Sequence, residues 1–203
     1  MSSLIILYLI SWSMLMITVL CKQSQVLYRW IKIITAILFV MIGTMNENRM
    51  ILAPLILFFV GDVFLAFANG GKVKRWLIGG LIFFWMGHIG LIFCMITQRF
   101  HYLTLVFSLI PVVMMLLIRK VFSKIDFRGL FLILTTYAYT LGILGSLAIL
   151  NFTLLPILAW GIMIFNLSDI CLIFWYFYPQ CPRIVKLINV ITYFGSVLLI
   201  ALS

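Results

Sequence analysis

Two aspartates hold what chemistry this sequence offers. Asp62 and Asp169 stand inside apolar stretches of a 203-residue chain that has only four acidic residues. They occupy matching words, Phe58-Phe59-Val60-Gly61-Asp62-Val63-Phe64-Leu65-Ala66-Phe67 and Phe165-Asn166-Leu167-Ser168-Asp169-Ile170-Cys171-Leu172-Ile173-Phe174, set 107 positions apart. A carboxylate at membrane depth costs roughly 2.5–3.5 kcal/mol to insert, so one retained there marks a pathway or a site. Two carboxyls sharing a site away from water hold one proton between them at neutral pH, giving one acid and one base. Such a pair can generate an oxygen-stabilised cation and let water trap it. The residues therefore point to acid–base chemistry on a substrate that arrives through lipid, without naming the bond broken. The structural alternative is a buried pair or hydrogen bond that ties helices together.

Other polar groups lie at similar depth. Asn166 precedes Asp169 by one helical turn on the same face, close enough to orient it. His88 is central in Trp85-Met86-Gly87-His88-Ile89-Gly90, and Tyr137 and Tyr139 fall in the sixth apolar stretch. Lys32 opens the second stretch, where a long cation at the membrane boundary can meet a phosphate. At that position it is expected to be too shallow to neutralise either aspartate. Gly79, Gly80, Gly87 and Gly90 permit close helix packing.

The elements that must position these groups are membrane helices. Hydrophobic residues make up 66% of the chain, charged residues 9%, and mean hydropathy is +1.30; a soluble domain is about one-quarter charged. The expected fold is an all-α polytopic bundle forming a single transmembrane domain over 1–203. Its eight spans are expected at 4–21, 31–45, 51–68, 76–97, 102–118, 129–150, 153–177 and 187–202, each close to the roughly 20 residues that cross a bilayer core. Twelve of the fourteen Lys and Arg fall in the odd-numbered connections, leaving Arg49 and Arg99 opposite. By the positive-inside rule both termini lie outside. The net charge of +10 is thus a topology signal and a grip on anionic membrane lipids, with no nucleic-acid partner implied. The first apolar segment has no basic stretch before it and is expected to remain as a span. Cys21, Cys94, Cys171 and Cys181 show no metal-like spacing and read as free thiols. No cofactor or metal is expected.

The repeated word relates the third span to the seventh, so four-helix halves in parallel repeat are expected. Both spans run from outside to inside. At about 1.5 Å rise per residue, each carboxylate sits roughly 9–12 Å from the inner edge of the core, and the two can face one cavity.

These words, in order, resemble the YhhN family of integral membrane proteins, which includes the lysoplasmalogenases. The matching pieces are Gly61 to Leu65, the G-H-I of Gly87 to Ile89, and the F-x-x-S-D-x-x-L of Phe165 to Leu172. Lys32 with Thr35 is similar to that family's K-P-x-T. Ile33 replaces its proline, Leu91 a frequent tyrosine, and Tyr193-Phe194-Gly195-Ser196 lacks its usual glutamine. The resemblance implies hydrolysis of the vinyl ether bond of a lysoplasmalogen, giving a fatty aldehyde and a glycerophospho-alcohol. Asp62 and Asp169 would be catalytic; His88, Asn166, Lys32 and Tyr137 would support them or bind the lysophospholipid. The host membrane would be the cell membrane of a bacterium or the endoplasmic reticulum of a eukaryote. Rival readings are a small proton- or cation-coupled transporter, with the carboxylates carrying the ion, and a non-catalytic lipid-binding membrane protein.

Overall fold

In lipid, backbone N–H and C=O groups find no water, so an apolar chain must satisfy them within helices. The computed structural model describes residues 1–68 and 72–203. Among the described residues the chain is helical, with no strand. The helices are α1 (Ser2–Leu20), α2 (Gln25–Thr44), α3 (Leu52–Phe67), α4 (Lys74–Ile96), α5 (Leu103–Phe107), α6 (Leu109–Val121), α7 (Phe131–Leu150), α8 (Pro156–Phe177) and α9 (Arg183–Leu202). A 3-10 turn, Arg49–Ile51, leads into α3. Among the described residues eight segments are long and apolar enough to cross a membrane, α5 and α6 together forming one of them. The connections α1–α2, α3–α4, α6–α7 and α8–α9 are flanked by most of the Lys and Arg residues, and this is called the basic end below.

The fifth span breaks at Ser108 because Pro111 has no N–H to offer the carbonyl of Phe107. Ser108 Oγ donates instead to Leu105 O at 2.6 Å. The break lies directly against α7, where a Cβ on Gly142 would come within 2.6 Å of Ser108 Cα and of its carbonyl oxygen. Gly142→Val should therefore lower thermal stability in detergent by about 1–3 kcal/mol, the usual cost of overpacking. An unchanged melting temperature would show that this contact yields freely.

The second span differs most from the expected 31–45. It starts at Gln25, six residues earlier, with Ser24 Oγ accepting a hydrogen bond from Leu27 N at 3.2 Å. Arg29 and Lys32 interrupt the apolar run but not the helix. Arg29 Nε donates to Ala66 O at 3.0 Å, and its guanidinium lies 4.6 Å over the Phe67 ring. Lys32, Thr35, Phe39 and Ile42 share one buried stripe at helical spacing. Lys32 is thus seven residues inside its helix, about 10 Å from the start at 1.5 Å per residue, and is not a boundary residue.

The aspartate-bearing helices use equivalent stripes. In α3 the buried positions include Phe58, Gly61, Asp62 and Leu65; in α8 they include Phe165, Ser168 and Asp169. α3 packs chiefly on α4, and α8 chiefly on α9, while α4 meets α7 and α9 meets α1 and α2. The repeated words meet at their first residues, with the Phe58 and Phe165 rings 4.9 Å apart. The position before each aspartate serves packing differently. A Cβ on Gly61 would stand 2.6 Å from the Phe84 ring and 3.3 Å from Gly80 O, so glycine allows α3 and α4 to touch. Ser168 instead accepts from Asn189 Nδ2 through Oγ at 2.9 Å and through its carbonyl at 3.0 Å, fastening α8 to α9.

Candidate active site

Asp62 and Asp169 are both buried and border one cavity of about 10 Å³, lined also by Lys32, Phe84, Asn189 and Tyr193. That is about the room one water molecule needs. Each carboxyl has its own partners. Lys32 Nζ lies 3.0 Å from Asp62 Oδ1, and Tyr193 OH donates to Asp62 Oδ2 at 2.6 Å. Tyr137 OH donates to Asp169 Oδ2 at 2.8 Å, and His88 Nε2 stands 3.7 Å from that same oxygen. Among the described residues no hydrogen bond joins the two carboxyls.

Two expectations change here. Lys32 is the counter-cation of Asp62 rather than a free phosphate ligand at the boundary. With a cation beside one carboxyl only, the two acids differ in kind and have no need to divide one proton equally. Asn166 also departs from its expected role. Its Nδ2 donates to Leu141 O at 3.3 Å; among the described residues no hydrogen bond joins it to Asp169, and it does not line the aspartate cavity. It lines a groove of about 490 Å³ between α5, α6 and α7, together with Thr104, Phe107, Pro111, Leu141 and Gly145. Its buried Oδ1 has no partner among the described residues.

His88 is fully buried, with no hydrogen bond to either ring nitrogen among the described residues. Aromatic edges hold it in place: Phe165 at 4.7 Å, Phe58 at 5.2 Å and Tyr137 at 5.3 Å. The repeated-word phenylalanines therefore wall the imidazole that faces Asp169. Tyr139 lies on the other side of α7 and is only half-buried.

The sequence profile of the YhhN family matches residues 24–203. The chain belongs to the YhhN family. No curated protein and no solved structure matches it. In this YhhN protein every side chain of the aspartate cavity falls within the matched region, as do the eight-span layout's last seven spans. It is a multi-pass membrane protein by helix length and apolarity.

Sequence reasoning missed two contributors in this YhhN protein, Tyr193 and Asn189. Tyr193 was visible only as part of a stretch without the family's usual glutamine, yet its hydroxyl makes the short bond to Asp62. The available signal was helical phase: Asn189, Val190 and Tyr193 recur at the spacing of one face of α9.

Proposed function

We propose that this protein is a lysoplasmalogenase, hydrolysing the vinyl ether of a lysoplasmalogen to a fatty aldehyde and a glycerophospho-alcohol. The observation that carries the reading is the unequal pairing of two buried carboxyls on one water-sized cavity. Asp62, beside Lys32, is the ionised member. Among the described residues Asp169 has a phenol and an imidazole as its polar partners and no paired cation, and it carries the transferable proton.

The reaction needs one acid and one anion at those places. Asp169 gives its proton to the outer vinyl carbon, and the adjoining carbon becomes an oxocarbenium ion. The Asp62 carboxylate stabilises that charge and takes a proton from the attacking water, so a hemiacetal forms. Asp62 then passes that proton to the leaving glycerol oxygen as the carbon–oxygen bond breaks. The hemiacetal hydroxyl returns its proton to Asp169, leaving aldehyde and alcohol with one water consumed. His88, adjacent to Asp169, lies where it can relay that last proton. The apolar groove that ends at Asn166, one turn along α8 from Asp169, supports a place for the hydrocarbon chain.

A cavity for one water does not admit a lipid, so substrate must part the side chains around it. Tyr193→Phe removes one acceptor contact of Asp62 while leaving its ion pair. It should lower kcat about tenfold, by the worth of one hydrogen bond to a charged group, with KM little altered. The reading itself is tested with purified protein in detergent and a lysoplasmenyl lipid, aldehyde being scored by mass spectrometry. Absence of aldehyde from folded wild-type protein across ethanolamine and choline headgroups would sink it. Vesicle uptake of protons or cations without any product would favour the transporter instead.

A further inference from the structure

At the basic end a second space of about 70 Å³ adjoins the aspartate cavity, with Gln25, Arg29, Trp175, Tyr176 and Lys186 around it. Tyr28, Lys32, Leu65, Leu172 and Asn189 border both spaces, so the two are neighbours through a shared wall. Three cations converge on this vestibule, and Lys32 alone pairs with a carboxylate among the described residues. Arg29 uses Nε on Ala66 O, and no terminal guanidinium nitrogen has a hydrogen-bond acceptor among the described residues. Lys186 Nζ stands 3.7 Å from the Tyr28 ring centroid and 4.9 Å from that of Trp175, held by aromatic faces without an anion. Both cations are half-buried.

Ordinary anchoring cations extend toward water or headgroups at the surface. These two instead flank a concave space that adjoins a buried carboxylate site. A charge withdrawn from water is costly unless it is paired, and of the two carboxyls on the adjoining cavity Asp62 is already paired with Lys32 while Asp169 is held by Tyr137. The missing partner is an anion. We propose that the vestibule binds a phosphate group, with the Arg29 fork gripping two oxygens and Lys186 supplying a point charge. Gln25 adds a neutral donor at the rim. This deepens the hydrolase reading, on which it rests for what the phosphate belongs to: a phosphate here lies across the wall that Lys32, Leu65 and Asn189 share with the aspartate cavity. The same chemistry fits a phosphate borne by a lipid and a free phosphate ion.

The test uses purified protein in neutral detergent and three probes: a saturated alkyl-ether lysophospholipid, the matching alkylglycerol without phosphate, and inorganic phosphate. The saturated ether has no vinyl group to cleave, so binding is read apart from turnover. Arg29→Gln with Lys186→Gln should weaken the lysophospholipid roughly ten- to hundredfold, the range of charge-assisted hydrogen bonds, and leave the alkylglycerol unchanged. Lys186→Arg keeps both charges and the Arg29 fork and should retain binding within a few-fold, which controls for folding. Competition by inorganic phosphate would show that the vestibule takes the free ion; no competition would assign it to a lipid headgroup. Equal lysophospholipid affinity in the glutamine variant and wild type, or equal loss for the alkylglycerol, would overturn the proposal. A protein that binds the ether lipid in this way but releases no aldehyde keeps the phosphate site and loses the hydrolase.

Discussion

Asp169→Asn should reduce aldehyde release from a lysoplasmenyl lipid by about 10²–10⁴-fold, the usual contribution of a positioned general acid, in protein that folds normally. Asparagine has nearly the same shape, and its amide oxygen can still accept the hydrogen bond that Tyr137 OH now gives to Asp169 Oδ2. What disappears is the proton for carbon. Protonation of a vinyl ether carbon is the hard step. His88 is a second candidate donor beside Asp169, at 3.7 Å from its Oδ2. Asp169→Asn with His88→Gln separates the two: residual turnover lost only in the double variant would give the imidazole the donor's role. Retention of full activity in Asp169→Asn, with circular dichroism and elution unchanged, is incompatible with the mechanism.

Lys32→Met should destabilise the folded protein by about 3–5 kcal/mol, because it leaves a buried carboxylate without its cation. Methionine matches the stem of lysine and fills the same stripe beside Thr35 and Phe39, so packing loss is small. The cost falls on Asp62, which would keep only the Tyr193 hydroxyl. Combining Lys32→Met with Asp62→Asn removes both charges and should recover most of the lost stability. The non-additivity, read as a double-mutant cycle from thermal or denaturant unfolding in detergent, measures the coupling of the pair. Activity should follow the opposite course: the double variant, though stable, should release no aldehyde, since it has no anion to stabilise the oxocarbenium ion. Strictly additive effects would mean that Lys32 and Asp62 do not depend on each other.

Much of this architecture could be read from the residues. The apolar runs locate eight spans to within a few residues at most ends, since only helices satisfy the backbone in lipid. The aspartates stood out because a buried acid is costly, and both line one cavity. The failures share a cause. Hydropathy ends a span at its first charge, so α2 seemed to begin at Ile31, and Lys32 looked like a rim residue. A cation can continue a membrane helix when another helix supplies its partner, and that partner, Asp62, is thirty positions away in the chain. Asn166 failed for a related reason: sharing a face with Asp169 one turn away does not fix where a short side chain points, and the neighbouring α7 carbonyl of Leu141 captured its amide. Tyr193 lies 131 positions from Asp62, and no local pattern announces such a contact.

The bland account of these acids, helices tied together by buried polar bonds, also fits part of the geometry. Tyr137 to Asp169 and Tyr193 to Asp62 do link α7 to α8 and α9 to α3. That account has no use for the cavity between the carboxyls, nor for two half-buried cations facing an adjoining space. Structure and catalysis are separable through the size of each effect: a purely structural Asp169 would lose stability on conversion to asparagine in proportion to any loss of turnover.

The most direct test follows the hydrogen that Asp169 is said to deliver. Purified protein is given a lysoplasmenyl lipid in heavy water, and the aldehyde is trapped at once by reduction to the alcohol. Proton transfer to carbon requires one solvent deuterium on the carbon next to the aldehyde carbon, with the ether oxygen retained by the glycerol product. Aldehyde without that deuterium, or no aldehyde from intact protein, contradicts the account.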